Sequence, residues 1–400
     1  MYNNPKVTYP SISFIFQSIV MEFTFTEEQI MIQQSARDYA QRELIKDVLE
    51  RDAKAEYPAH HVKAMADLGF LGMLVSTRYD GGGMDTISYV LAMEEISKVD
   101  SSVGVIISVN NSLVCYGLEE FGTEAQKEKY LKPLARGEKI GAFLLSEPNA
   151  GSDATSQKTT AIDKGDHYLV NGTKNWITNG NSASTYLLIA QTHPEKGHKG
   201  INVLIVDRHS PGISLGPHED KMGMRSSDTH SVMFTDVIVP KENRIGEDGF
   251  GFKFAMKTLE GGRIGIAAQA LGIAQGAYER ALKYAKERKA FGTEIINHQA
   301  VAFKLAEMHV RIEAARHFCL KAAWLKDQNQ PYGTASAIAK YWAAETAMYV
   351  TTEAVQIHGG YGYVKEYHVE RLMREAKLTQ IYEGTSEIQQ IIISRAIMND

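Results

Sequence analysis

Cysteine is nearly absent from this 400-residue chain, which holds only Cys115 and Cys319. The two lie far apart and lack metal-ligand spacing. That excludes a disulfide framework or a cysteine zinc site and fits a reducing compartment. Positive charge is not in excess either. A formal net charge of −5 argues against nucleic acid as the main partner, because phosphate binding needs a basic surface. The longest uncharged run, Ser101 to Leu118, includes Asn110, Asn111 and serines, so it reads as a buried helix and not as a membrane span. There is no Walker loop, no His-Glu-x-x-His and no Gly-x-Ser-x-Gly. The lack of Gly-x-Gly-x-x-Gly after a strand removes the Rossmann oxidoreductases on motif grounds. No short repeat or low-complexity segment is present, so a solenoid is excluded.

What remains has an ordinary globular composition, 44% hydrophobic and 23% charged, with enough length for two or three domains. Residues 1–20 carry a short apolar patch, Ile12 to Val20, too short to cross a bilayer and without a convincing small-residue cleavage site. They are expected to form a disordered upstream extension outside the fold, and the absence of a convincing targeting segment points to a cytoplasmic, bacterial-type protein.

From residue 21 to about 140 the pattern is helical. Thr26 with Gln29 and Thr123 with Gln126 have capping-box spacing, Pro58 and Gly69 bracket a helix, and Gly81-Gly82-Gly83 breaks the chain before another from about Thr86. Between 141 and 250 the helical period gives way to β-branched runs, Tyr186–Ala190 and Ile201–Asp207 among them. Asn171-Gly172 and Asn179-Gly180 read as hairpin dipeptides, and Thr235-Asp236 as a turn between Val232, Phe234 and Val237, Val239. From 251 to 400 long helices return. Ile264, Ala267, Leu271, Ala274, Tyr278, Ala281 and Ala285 step by three and four, as do Leu305, Met308, Ile312, Ala315 and Cys319. The expected fold is mainly α with a central β domain: an N-terminal helical domain, a middle β-sandwich or barrel, and a C-terminal helical bundle.

Five stretches could carry chemistry. Ile381 to Gln390 holds Glu383 between an aromatic residue and a glycine, and Ser386 with Gln389 has capping-box spacing. Glu383 is thus expected on a turn three residues before an N-cap, where a carboxylate can reach into a cleft and act as a base. Taken alone, such a tripeptide is more often a solvated loop. Leu145 to Asp153 combines small residues, Pro148 and the Ser152 hydroxyl, which suits either a ligand-binding loop or a tight interdomain turn. Trp176 stands two residues from Thr178, so on a strand both face one side, offering a plane and a donor to a flat cofactor, or else a core indole. Arg288 ends a long helix as a donor fork for phosphate or carboxylate, or as a cation answering the helix dipole. Gln356 to Gly362 pairs glycines with polar side chains, as a diphosphate or a helix cap requires. His358 has no paired acid or nucleophile and reads as a pocket or capping residue.

Tyr79–Asp85, Leu145–Asp153, Trp176-Ile177-Thr178, Gly262-Arg263-Ile264, Arg288–Gly292, Gln356–Gly362 and Ile381–Gln389 stand together in one order and spacing. In this the chain resembles the acyl-CoA dehydrogenase family from about Met21 to its C-terminus. The resemblance implies an FAD enzyme that introduces a 2,3-double bond into an acyl-CoA thioester and passes electrons to electron-transfer flavoprotein. It places Phe143, Leu145, Ser146, Gly151, Ser152, Trp176, Ile177 and Thr178 around the flavin. Arg288, Phe291, Gln299, Gln356, Ile357, Gly359, Gly360, Thr385, Ser386 and Glu387 then hold the rest of FAD. The Arg288-type contacts cross a subunit interface in the family, so a homotetramer is implied. Ser152, Glu260, Gly261, Gly262, Arg263 and Gly384 would touch the acyl-CoA, and no metal is implied.

The chemistry is consistent with that assignment. The α-hydrogen of a thioester is weakly acidic, so a desolvated Glu383 with a raised pKa suits its removal. The isovaleryl and long-chain branches carry their base just before the arginine matching Arg263. Here that position is Gly262, so the resemblance puts the base at Glu383. Glu260 stands where aspartate is commoner. The chain looks closest to the short-chain, butyryl-CoA type. Branched, medium-chain or glutaryl substrates, an oxidase using oxygen, and a non-catalytic acyl-CoA or flavin binder are the alternatives.

Overall fold

The computed structural model describes residues 24–399; the expected extension and Met21 lie outside the described residues. Helix α1 (Glu27–Arg42) begins where Thr26 and Gln29 exchange the two hydrogen bonds of a capping box. A short helix that the sequence pattern did not suggest, α2 (Val48–Lys54), follows, then α3 (Ala59–Asp67) between Pro58 and Gly69. Asp85 caps α4 (Thr86–Ser97) by accepting from the Ser88 N–H, and Asp100 caps α5 (Ser101–Phe121) through the Ser102 and Val103 N–H groups. Among the described residues α5 alone is long and apolar enough to cross a membrane, yet 94% of its apolar window is buried inside the protein. Its Asn110 and Asn111 side chains donate to the carbonyls of Leu71 and Phe70 at 2.8 Å each. Val109–Cys115 winds as a π-helix, a form that is rare and often found at functional sites.

The middle of the chain is a mixed sheet. It comprises β1 (Gly141–Leu144), β2 (Thr160–Asp163), β3 (His167–Thr178), β4 (Thr185–Gln191), β5 (Ile201–Asp207), β6 (Ile213–Leu215), β7 (Thr229–Pro240) and β8 (Arg244–Ile245). The order is β6-β7-β3-β2-β4-β5-β8, with β1 parallel to β4. Strand periodicity sets what each face meets. On β4, Tyr186, Leu188 and Ala190 enter the core of the β domain, whereas Leu187 and Ile189 join the helical core. Both faces are therefore covered, which is why this segment reads as a continuous apolar run.

Two expected turns are corrected. Asn171-Gly172 lies inside β3 and Thr235-Asp236 inside β7, opposite each other where the register shifts. Asn171 Nδ2 donates to Asp236 Oδ1 and the Asp236 N–H to Asn171 Oδ1, both at 2.9 Å, so turn-type residues here stabilise a β-bulge. Asn179-Gly180 does form a turn, but the strands it joins, β3 and β4, are not paired with each other.

The C-terminal bundle contains α6 (Gly251–Glu287), α7 (Gln299–Asp327), α8 (Gly333–His358), α9 (Val369–Thr379) and α10 (Ser386–Asn399). The expected stripes on α6 and α7 are buried, Tyr278 only in part. Each buried Leu, Ile or Met there contributes about 1.5–3 kcal/mol. Helix α6, 37 residues long, packs on α4, α5, α7, α8 and α9 and so brings the two helical parts into one core.

Candidate active site

Glu383 sits in the turn between α9 and α10 with φ 51°, a left-handed value that costs a side-chain-bearing residue about 1–2 kcal/mol. Gly384 continues the turn at φ 92°. The turn is held from several sides. The Ser386 N–H donates to Gln380 O at 2.9 Å. Gln389 Nε2 donates to Gly384 O at 2.9 Å and to Glu383 O at 3.3 Å, and the Tyr382 hydroxyl donates to the buried Gln269 on α6. The expected capping box does not form, and a single cap bond one residue earlier takes its place. Thr385 Oγ1 accepts from the Ile388 N–H, while the Ser386 hydroxyl donates to Glu345 on α8 at 2.7 Å. Gln389 is thereby free to hold the Glu383 turn.

The carboxylate itself points at α6. A Cβ at Gly262 would lie 2.2 Å from Glu383 Oε2 and 2.8 Å from Leu113 Cδ2 on the π-helical part of α5. Only glycine leaves room for it there. Although Glu383 as a residue is only half-buried, Oε2 is sealed from solvent and has no hydrogen-bond partner among the described residues. Burial pushes the carboxyl up to about 7, against the pull of Lys340 and Arg263. Arg263 is buried with its Nε unpaired among the described residues, and Glu260, half-buried one turn earlier, supports its charge.

A second group gathers at β3. Its buried Lys174 donates to Leu145 O at 2.9 Å and to Glu147 at 2.8 Å, and the Asn175 N–H donates to Ser146 O at 2.9 Å. These bonds fasten the loop after β1 beside Trp176. That indole is 61% exposed at φ 60°, where β3 shifts register; Ile177 is buried and Thr178 half-buried. Trp176 is therefore not a core tryptophan. Phe143 stacks on Phe254 at 6.4 Å, and Gly151 and Ser152 lie exposed in the loop.

A third group lines a cavity of about 670 Å³, where Arg288 meets Ile357, Gly359 and Gly360. His358 lines it too, buried and stacked on Tyr284 at 4.4 Å, which suits its reading as a pocket residue. Gln299, Gln356 and Phe291 are exposed, the last at 97%. Thr385, Ser386 and Glu387 line a smaller cavity of about 250 Å³ with Lys377 and Glu345.

These groups fit FAD by their own chemistry. Arg288 has no carboxylate partner among the described residues, and Gly359 and Gly360 have no atom within 4 Å of a Cβ position. A guanidinium without a carboxylate, lying over the Tyr361 ring at 5.6 Å beside open backbone, suits a diphosphate, and a bare indole suits a flavin ring.

Sequence reasoning missed Lys340, a fully buried cation beside Glu383. The available signal was a lysine on the alanine stripe of α8, between Ala337 and Ala344.

Comparison with known proteins bears on the same regions. Residues 26–138, 142–237 and 249–398 match the N-terminal, middle and C-terminal domains of acyl-CoA dehydrogenase. A short-chain-specific acyl-CoA dehydrogenase of Clostridium acetobutylicum is 50% identical over 377 residues, 94% of this chain and 100% of that protein. The CarC subunit of a caffeyl-CoA reductase–Etf complex of Acetobacterium woodii is 45% identical over 375 residues, 94% of this chain and 99% of that one. The solved butyryl-CoA dehydrogenase of Megasphaera elsdenii superposes with a TM-score of 0.93 at 47% identity, covering 94% of this chain and 100% of its own. The chain thus belongs to the acyl-CoA dehydrogenase family and is an FAD-dependent oxidoreductase.

Proposed function

We propose that this enzyme dehydrogenates a short-chain acyl-CoA across its 2,3-bond, with Glu383 as the base that takes the α-proton. One observation carries the reading: a carboxylate oxygen sealed from solvent, unpaired among the described residues, in a niche that Gly262 alone leaves open. An unpaired buried acceptor costs about 1–3 kcal/mol, a cost that makes sense where a substrate proton completes the bond. A pKa of about 7 suits a base working near neutral pH. Glu260, Gly261, Gly262, Arg263, Ser152 and Gly384 position the thioester, and the Glu383 backbone N–H stabilises the charge developing on its carbonyl. FAD, when bound, supplies the electron-pair acceptor for the departing β-hydrogen.

The residues from Phe143 to Ser152, Trp176 to Thr178 and Thr385 to Glu387 hold the cofactor from one subunit; Arg288, Phe291, Gln299 and Gln356 to Gly360 hold it from a second. Such sharing requires at least two copies of the chain, and the assembly is a homotetramer in this reading; the exposed Phe291, Tyr361, Phe303 and Val310 are apolar side chains that a neighbouring copy could cover. The names of the Clostridium and Megasphaera relatives support a short acyl chain, and that of the Acetobacterium relative supports electron-transfer flavoprotein as redox partner, in a bacterial setting. The Acetobacterium protein is named a reductase, and by microscopic reversibility the same carboxyl can return a proton in that direction.

Glu383→Gln is expected to keep FAD and still bind acyl-CoA while turnover drops about 10²- to 10⁴-fold. A variant that still dehydrogenates at the parent rate would place the base elsewhere.

A further inference from the structure

Lys340 has no exposed surface, and it lies on the small-residue stripe of α8 that packs against α6. A lysine in such surroundings is rarely kept without a partner, because a buried ammonium is costly unless it is hydrogen-bonded and faces negative charge. Its Nζ donates to Gly384 O at 2.6 Å, the carbonyl that Gln389 Nε2 also reaches from α10. The left-handed Glu383-Gly384 pair is thereby gripped from two helices. Lys340 forms no ion pair with Glu383 within 4 Å; the carboxylate is directed past it toward Gly262.

We propose that Lys340 is a positioning residue for Glu383: its ammonium clamps the Gly384 carbonyl to aim the carboxylate, and its charge favours the ionised base. The inference rests on the reading of Glu383 as the base. The other groups around this centre are Arg263 on α6, Glu345 on α8, Tyr89 on α4, and Tyr382 and Glu387 on the turn and α10. Arg263 acts on Glu383 in the same direction as Lys340, so losing Lys340 weakens the bias without abolishing it.

The test compares Lys340→Met and Lys340→Arg as FAD-loaded enzymes. In Lys340→Met the acidic limb of the kcat/KM–pH profile is expected to move up by about one unit or more, the size of effect a close opposite charge has on a carboxyl. Lys340→Arg, which keeps the charge, should return the limb toward the parent position. A readout independent of turnover is the difference in Tm between each enzyme and its Glu383→Gln counterpart as a function of pH. Its midpoint reports the ionisation of Glu383 and should rise in Lys340→Met. If that variant does not fold, Lys340→Gln, also neutral, is expected to show the same shift. A folded neutral variant whose limb and midpoint match the parent overturns the proposal, even if its Tm is lower. If Glu383→Gln itself retains turnover, the failure lies with the assignment of the base and not with Lys340.

Discussion

At the scale of single residues, Glu383 is tuned by burial. With its carboxyl raised from an ordinary 4.5 to about 7, the folded protein holds a proton that the unfolded chain has already released. The stability this group contributes is complete below about pH 4.5 and is lost as pH rises through about 7, some 3 kcal/mol in all. Glu383→Gln should therefore be no more stable than the parent at pH 4.5 and should gain stability relative to it through neutrality, read as a rising difference in Tm. A difference that stays flat from pH 4.5 to 8 would mean the carboxyl is not raised. Glu383 could be singled out in the sequence because its neighbours form a motif. Its cap was read one residue late because Thr385 and Ser386 are equivalent as cap formers, and only packing assigns the second hydroxyl to Glu345. Lys340 was not legible as part of the site, since nothing local links it to a carboxylate 43 positions further on.

At the scale of elements, the site depends on how closely α6 approaches the Glu383 turn. Gly262→Ala would put a methyl group into the carboxylate, and kcat should fall about 10²-fold or more while FAD content is unchanged, as expected for a base displaced by about an ångström. Parent-like turnover would mean that the turn can move aside at little cost. The loop after β1 depends in turn on Lys174 and Glu147. Burial opposes both charges. It draws the Lys174 ammonium down to about 8, whereas at Glu147 the lysine and the N–H groups of Lys158 and Thr159 outweigh it and hold the carboxyl below its usual value. Lys174→Met would strand a buried carboxylate and should destabilise the protein by about 3–5 kcal/mol in denaturant unfolding. Loss of less than 1 kcal/mol would make the pair dispensable. Helix caps and buried stripes could be read in advance because their periods are local. The bulge joining Asn171 to Asp236 could not, because the same residue types make hairpin turns, and only the pairing of β3 with β7 distinguishes the two.

At the scale of the whole molecule, the three-part order of helices, sheet and helices was plain from where the hydrophobic period changes. Where the expected cofactor residues fall within one chain could not be read from that period. In one chain Arg288 and the glycines after α8 line a cavity of their own, while Trp176 and the loop after β1 stand on the sheet. If a neighbouring copy supplies the first group, Arg288→Ala should weaken FAD retention about 10- to 100-fold, the loss of one charged hydrogen bond. Its helical circular dichroism should stay unchanged. Full flavin content after gel filtration would remove Arg288 from the cofactor site. The claim beneath all of this is that the purified protein oxidises a short acyl-CoA with its own flavin. An anaerobic titration with butyryl-CoA, following the oxidised flavin absorbance, tests it most directly. The account predicts a yellow protein that bleaches at about one equivalent of substrate per flavin. A yellow protein that ignores butyryl-CoA but bleaches with another thioester would keep the chemistry and change the substrate. A colourless protein that FAD cannot reconstitute would contradict the account outright.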